Sequence, residues 1–199
     1  DAHYGADAIE YLCAVGFELK GESTHLDRNL HYSRREPFGV VLRILPFNHP
    51  IMSSATALAA PLLTGNAVIL KPSPHASMST LALGEMIAPL FPAGVVSILT
   101  GSNDTVAKQL VEHNGIDRIS VIGSTEAGRA IMRSAAERLL PLTLELGGKN
   151  PMIVLPDADV ELAAETAIAN MNFGWQSASC GSTSRILAHK SVYGRLREL

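Results

Sequence analysis

Only two cysteines, Cys13 and Cys180, occur among the 199 residues, and neither CxxC nor HExxH spacing is present. A chain this long can bury a core without covalent staples. Disulfide scaffolds and zinc modules are thereby excluded, no metal is expected, and a reducing, cytoplasmic setting fits best. An excess of basic charge is also missing: 16 Lys and Arg stand against 19 Asp and Glu, a net charge of −3. No partnership with nucleic acid or with a membrane surface is expected. Long apolar runs are lacking too. The richest, 51–63, is broken by Ser53, Ser54, Thr56 and Pro61 and falls short of the roughly 20 residues that span a bilayer. The opening DAHYGADAIEY has neither the basic start nor the apolar centre of an export signal. With no initiator Met, and a closing helical pattern (SVYGRLREL) that stops abruptly, the chain reads as an internal segment cut at both ends.

What is present is an alternation of strand and helix signals. Residues 6–19 carry apolar groups at helical spacing, Gly21 ends that helix, and 22–36 reads as an extended connection. Beyond Pro37, apolar β-rich runs at 38–45, 66–71, 95–99 and 118–122 are separated by helical patterns at 51–63, 77–90, 104–112 and 125–139. Continuous apolar strands joined by helices predict an α/β fold, a parallel sheet with helices on both faces. Such sheets take ligands at the carboxyl ends of their strands. After Leu144 the turn-rich ELGGKNP precedes a short buried strand (MIVL) and a helix over 157–173 with Asp159 as its cap. A boundary near Gly147 and Gly148 divides the chain into 1–146 and 147–199.

Several residues at those strand ends have chemistry to offer. Strand 118–122 runs into Gly123-Ser124-Thr125-Glu126-Ala127-Gly128, whose small residues would let backbone N–H groups approach an anion at a helix N-terminus; a glycine-containing turn with a capping Ser gives the same pattern. Lys71 ends an apolar strand and could reach a ligand phosphate or ribose, or simply be a solvated charge. Asn48, in PFNHP, could donate to a developing oxyanion or serve as a turn residue. Glu145 is the only acidic residue in PLTLELGGKNP; its apolar flanks suit a general base, although a surface glutamate is commoner. Cys180, in SASCGSTS, has small neighbours that leave room for a substrate, against the ordinary alternative of an inert buried thiol.

Taken together, REPFGVV with PFNHP, GNAVILKPS, the GSTEAG turn, LELGGKNPMIVLPDAD and the Cys180–Arg185 segment resemble the aldehyde dehydrogenase superfamily in order and spacing, from about Tyr32 onward. The resemblance implies a Rossmann-like cofactor domain followed by the beginning of a catalytic domain that continues past Leu199. It implies NAD or NADP as cofactor, an aldehyde as substrate and a homo-oligomeric parent, dimer or tetramer, with 22–35 as part of a bridging arm. Cys180 would attack the aldehyde, Asn48 and the Cys180 N–H would hold the oxyanion, and Glu145 would activate water against the thioester. Lys71, Ser73, Gly123, Ser124, Gly128, Pro46 and Phe47 would line the cofactor site.

Two departures from the family pattern bear on these roles. Pro74 stands where a glutamate often binds the ribose hydroxyls; without that carboxylate a 2′-phosphate is tolerated better, with Ser73 as a possible partner, so NADP is as eligible as NAD. Ser177-Ala178 replaces the Gly-Gln of the usual GQxC, and a Cβ at the glycine position conflicts with a positive φ. That change, with the missing remainder of the catalytic domain, leaves a non-catalytic cofactor-binding remnant as one alternative. A CoA-acylating relative is another, with Glu145 arguing against it.

Overall fold

A computed structural model describes residues 1–199. In chain order the elements are α1 (Ala2–Gly16), β1 (Ser23–Leu26), β2 (Asn29–Tyr32), β3 (Val40–Ile44), α2 (Pro50–Leu63), β4 (Ala67–Lys71), α3 (Met78–Ile87), β5 (Val96–Ile98), α4 (Lys108–Glu112), β6 (Arg118–Gly123), α5 (Thr125–Ala136), β7 (Leu142–Leu146), β8 (Pro151–Val154), α6 (Val160–Asn170), β9 (Arg185–Ala188) and α7 (Lys190–Glu198). They form two compact units, Asp1–Glu145 and Leu146–Leu199.

The first unit is built on a five-stranded sheet in the order β5-β4-β3-β6-β7. Strands β5, β4, β3 and β6 run parallel, with Ile44 opposite both Lys71 and Val121. Val, Ile and Leu crowd these strands because both faces are covered. On one face Leu45, Val68 and Leu70 pack with Ala57 and Leu58 of α2 and with Leu83 and Ile87. On the other, Leu42 and Ile119 pack with Val111, Ile116 and Ile131. Leu42, Leu70 and Ile119 are each 0% exposed.

Helix α2 opens with Pro50 at its first position, where no N–H is needed. Its buried Ser54 hydroxyl is satisfied by the Pro50 carbonyl at 2.6 Å and by Thr80 Oγ1 at 2.8 Å. The buried Asn66 ties three segments together, accepting from the N–H groups of Phe38 and Gly39 and donating to the Pro61 carbonyl. Each of these is a polar group that burial would penalise if left unpaired.

Several local expectations differ from the structure; α1 runs Ala2–Gly16, so Gly21 lies beyond it and does not end it. Residues 22–36 are not merely extended: Ser23–Leu26 and Asn29–Tyr32 pair as an antiparallel hairpin with every strand residue exposed. The helix expected over 104–112 begins as a π-helical turn, Asn103–Ala107, before α4. PLTLEL is a strand. Its exposed Thr143 and Glu145 alternate with half-buried Leu142, Leu144 and Leu146, so the apolar flanks of Glu145 are the opposite face of β7 rather than the walls of a pocket.

In the second unit β8 and β9 run parallel beneath α6 and α7, around Val154, Val160, Ala163 and Val192. The Asp159 carboxylate accepts from Leu162 N–H at 3.1 Å and starts α6. That helix ends at Asn170, earlier than the sequence pattern suggested, where the chain turns into the loop bearing Cys180.

Candidate active site

The parallel register brings one end of four strands together, and with it most of the residues singled out by sequence. β3 ends at Ile44 and leads to Pro46, Phe47 and Asn48; β4 ends at Lys71; β6 ends at Gly123 and leads to Ser124. Pro46 and Asn48 are half-buried and Phe47 is 55% exposed. Asn48 sits two residues before α2, whose first free N–H groups, those of Ile51 and Met52, donate to the carboxylate of Asp1 at 3.2 and 3.4 Å. Asp1 also lies 3.4 Å from His49 Nδ1. Burial holds the His49 imidazole below its ordinary value. Asp1 thus ties α1 to the turn that carries Asn48, a link without any local sequence signal because it spans 50 residues.

Lys71 is 0% exposed, and its ammonium donates to Asn103 Oδ1 at 2.7 Å. Burial lowers its pKa. The alternative of a solvated strand-end charge is therefore set aside. Ser73, two residues on, accepts from His75 N–H at 3.3 Å and shapes the Pro72–Pro74 turn. Ser124 caps the 12-residue α5, its hydroxyl accepting from Ala127 N–H at 3.1 Å. Space around Gly123 is open, since a Cβ there would meet only Val121 Cγ2 at 3.8 Å. Gly128 requires a correction: it lies inside α5, buried, with its N–H donating to the Ser124 carbonyl, so it belongs to the helix and not to the turn.

Cys180 lies in the second unit and is exposed, as is Cys13 in α1. Its loop is fastened at several points. Asn150 Nδ2 donates to the Cys180 carbonyl and, at 3.2 Å, to that of Ser182. Ser182, only 3% exposed, donates to the Met171 carbonyl and accepts from Asn172 Nδ2. Before the cysteine, Asn172, Gln176 and Ser177 all adopt left-handed backbone with φ of 54°, 57° and 55°. Ser177 is the residue that replaces the family glycine, and the structure places it in the conformation that glycine tolerates best. Glu145 is exposed near the end of β7. Sequence reasoning did not single out Asn103, Asn150 or Asp1.

No group of three or more His, Cys, Asp or Glu side chains is placed to hold a metal ion. No helix is long and apolar enough to cross a membrane.

A parallel sheet that gathers a buried lysine, a serine-capped helix and an open glycine at its carboxyl edge defines a Rossmann-like α/β unit, here joined to a smaller α/β unit. The description "Aldehyde dehydrogenase family" matches residues 1–199, and the chain belongs to that family. It is 40% identical over 197 residues to aldehyde dehydrogenase tropH of Talaromyces stipitatus, covering 97% of this chain and 38% of that relative. The NAD+ complex of an aldehyde dehydrogenase from Bacillus cereus superposes with a TM-score of 0.93 at 32% identity, covering 98% of this chain and 40% of that one. An E. coli NADP-dependent enzyme gives 0.91 at 32% identity, covering 98% and 41%. The chain therefore spans about two fifths of the length of the relatives it matches.

Proposed function

We propose that this chain is the cofactor-binding and nucleophile-bearing part of an NAD(P)-dependent aldehyde dehydrogenase that converts an aldehyde to a carboxylic acid. The observation that carries the reading is the convergence of Asn48, Lys71 and Ser124 on one sheet edge within a family whose matched members include NAD and NADP proteins. The residues fit a dinucleotide: Lys71 is a buried cation whose only acceptor is neutral, and the surroundings of Gly123 leave room beside the start of α5 for a phosphate. Lys71 and Ser73 would face the adenosine ribose, Ser124 with Gly123 the pyrophosphate, and Pro46 and Phe47 would border the site. When bound, the dinucleotide supplies the hydride acceptor.

The protein's own groups would do the rest. The Cys180 sulfur, as thiolate, forms a bond to the aldehyde carbon while the carbonyl electrons move to oxygen. By the family resemblance, the Asn48 amide and the Cys180 N–H would donate to that oxyanion, the kind of preorganised stabilisation that contributes most to such steps. Loss of hydride leaves a thioester on Cys180. Glu145 takes a proton from water, the water oxygen attacks the thioester, and the carboxylic acid and the thiolate are released. A reducing, cytoplasmic location would keep the sulfur available, and the exposed β1–β2 hairpin would serve a homo-oligomer as a bridging arm.

The test is reduced-cofactor formation by the full-length protein over a panel of aldehydes, beside Cys180→Ala and Asn48→Ala. Cys180→Ala should lose about a thousandfold or more in turnover, and Asn48→Ala about a hundredfold. Full turnover by Cys180→Ala would overturn the nucleophile assignment. Cofactor binding without turnover on any aldehyde would favour the remnant, for which the left-handed Ser177 beside the cysteine is the supporting observation.

A further inference from the structure

Lys71 is the only charged residue among those fully buried in the chain. An ammonium has three donors, and this one meets a single acceptor, the neutral Oδ1 of Asn103 at 2.7 Å. A buried cation so served is short of partners and favours any anion or hydroxyl able to supply them. Asn103, by contrast, is exposed. The side chain that completes the lysine's surroundings therefore lies on the surface above it.

The turn presenting Asn103 is closely determined. It follows β5, the strand hydrogen-bonded to β4, with Ile98 opposite Leu70. Gly101 has φ of 145°, and a Cβ there would come within 2.4 Å of Val106 Cγ2, so the approach to the turn needs glycine. Ser102 Oγ then accepts from Thr105 N–H at 3.2 Å and shares a hydrogen bond with Thr105 Oγ1 at 2.6 Å. Asn103 is thus held in place by its own turn and reaches back 32 residues in sequence to Lys71.

We propose that Asn103 is a latch on Lys71 that sets how strongly the site prefers a 2′-phosphate over a bare ribose hydroxyl. The inference rests on the reading of Lys71 as a cofactor contact. In the absence of ligand the amide supplies the ammonium's acceptor. A phosphate carries a full negative charge, which attracts the ammonium more strongly than the dipole of a neutral amide, so it can draw the lysine from Asn103. A carboxylate at position 103 would close an ion pair with Lys71 and resist that exchange. A hydroxyl, which gains less from the ammonium, would feel the change less. Asn103 is accordingly a positioning and specificity-determining residue, acting through Lys71.

Two measurements on the full chain test this, using Asn103→Asp and Asn103→Ala; both changes fall on an exposed turn residue that the fold should tolerate. In the first, affinities for adenosine 2′,5′-bisphosphate and adenosine 5′-monophosphate are measured by calorimetry. Asn103→Asp should weaken the bisphosphate about tenfold or more while changing the monophosphate less than about threefold. In the second, the acetylation rate of Lys71 is followed by mass spectrometry without nucleotide. Asn103→Ala should raise it about tenfold by removing the cover. An unchanged affinity ratio with an unchanged labelling rate overturns the latch. If the labelling rate rises as expected but the wild type binds neither nucleotide, the cofactor reading fails, and the specificity role fails with it while the physical cover stands.

Discussion

The two units of this chain are built around different kinds of core. In the first, Leu42, Leu70 and Ile119 at 0% exposure and Val68 at 1% are covered on both sheet faces by helices of the same unit. In the second, a two-stranded sheet and two helices enclose Val154, Val160, Ala163 and Val192. The first unit is thus organised around an apolar core on two sheet faces, whereas the loop of Cys180 is fixed by polar contacts, with hydrogen bonds from Asn150 and Ser182.

The strongest challenge to this contrast is Leu42→Ala. The leucine is fully buried between sheet and helices, and its truncation should cost about 2–5 kcal/mol. Trp175 is the only tryptophan and belongs to the second unit, so its fluorescence separates the two. Denaturant unfolding followed by far-ultraviolet circular dichroism should show the full loss, while the Trp175 transition moves much less. Coincident transitions, both shifted equally, would mean that the units unfold as one and would end the comparison.

A smaller effect concerns the cysteine loop. Ser177→Gly relieves a left-handed conformation at φ 55° and should stabilise the second unit by about 0.5–1 kcal/mol, read as a later Trp175 transition. No shift, or an earlier one, would show that the added chain entropy of glycine outweighs the strain.

The smallest effect is a pH dependence in the first unit. His49, with its side chain 14% exposed, has a folded-state pKa lowered by burial. The unfolded chain thus takes up the proton more readily, so the contribution of neutral His49 is present above the ordinary histidine value and fades as pH falls through it toward the lowered one. Stability of the wild type should decline over that range more steeply than that of His49→Gln. Parallel curves would remove His49 as the cause.

Much of the site-bearing architecture was legible in the residues. The runs ending at Lys71 and Gly123 declared buried strands, and Ser124 and Asp159 declared helix starts, because burial and capping leave local marks. β7 was not legible as a strand: PLTLEL abuts a Gly-Gly turn, and its alternation covers only five residues. The β1–β2 hairpin escaped notice because every one of its strand residues is exposed, leaving no apolar alternation to read.

By itself the amino-acid sequence determined the alternation of strands and helices, the family resemblance and the candidacy of Asn48, Lys71, Ser124, Glu145 and Cys180, since each is written in residue type and near-neighbour spacing. Only the tertiary structure decided that Lys71 is buried against Asn103, that Asp1 holds the turn of Asn48, that Asn150 fastens the carbonyl of Cys180, and that Glu145 stands on the exposed face of its strand. Three of these are contacts between residues 30 or more apart in the chain, and the fourth is a choice of sheet face. Such features arise from how elements pack, which no local pattern encodes.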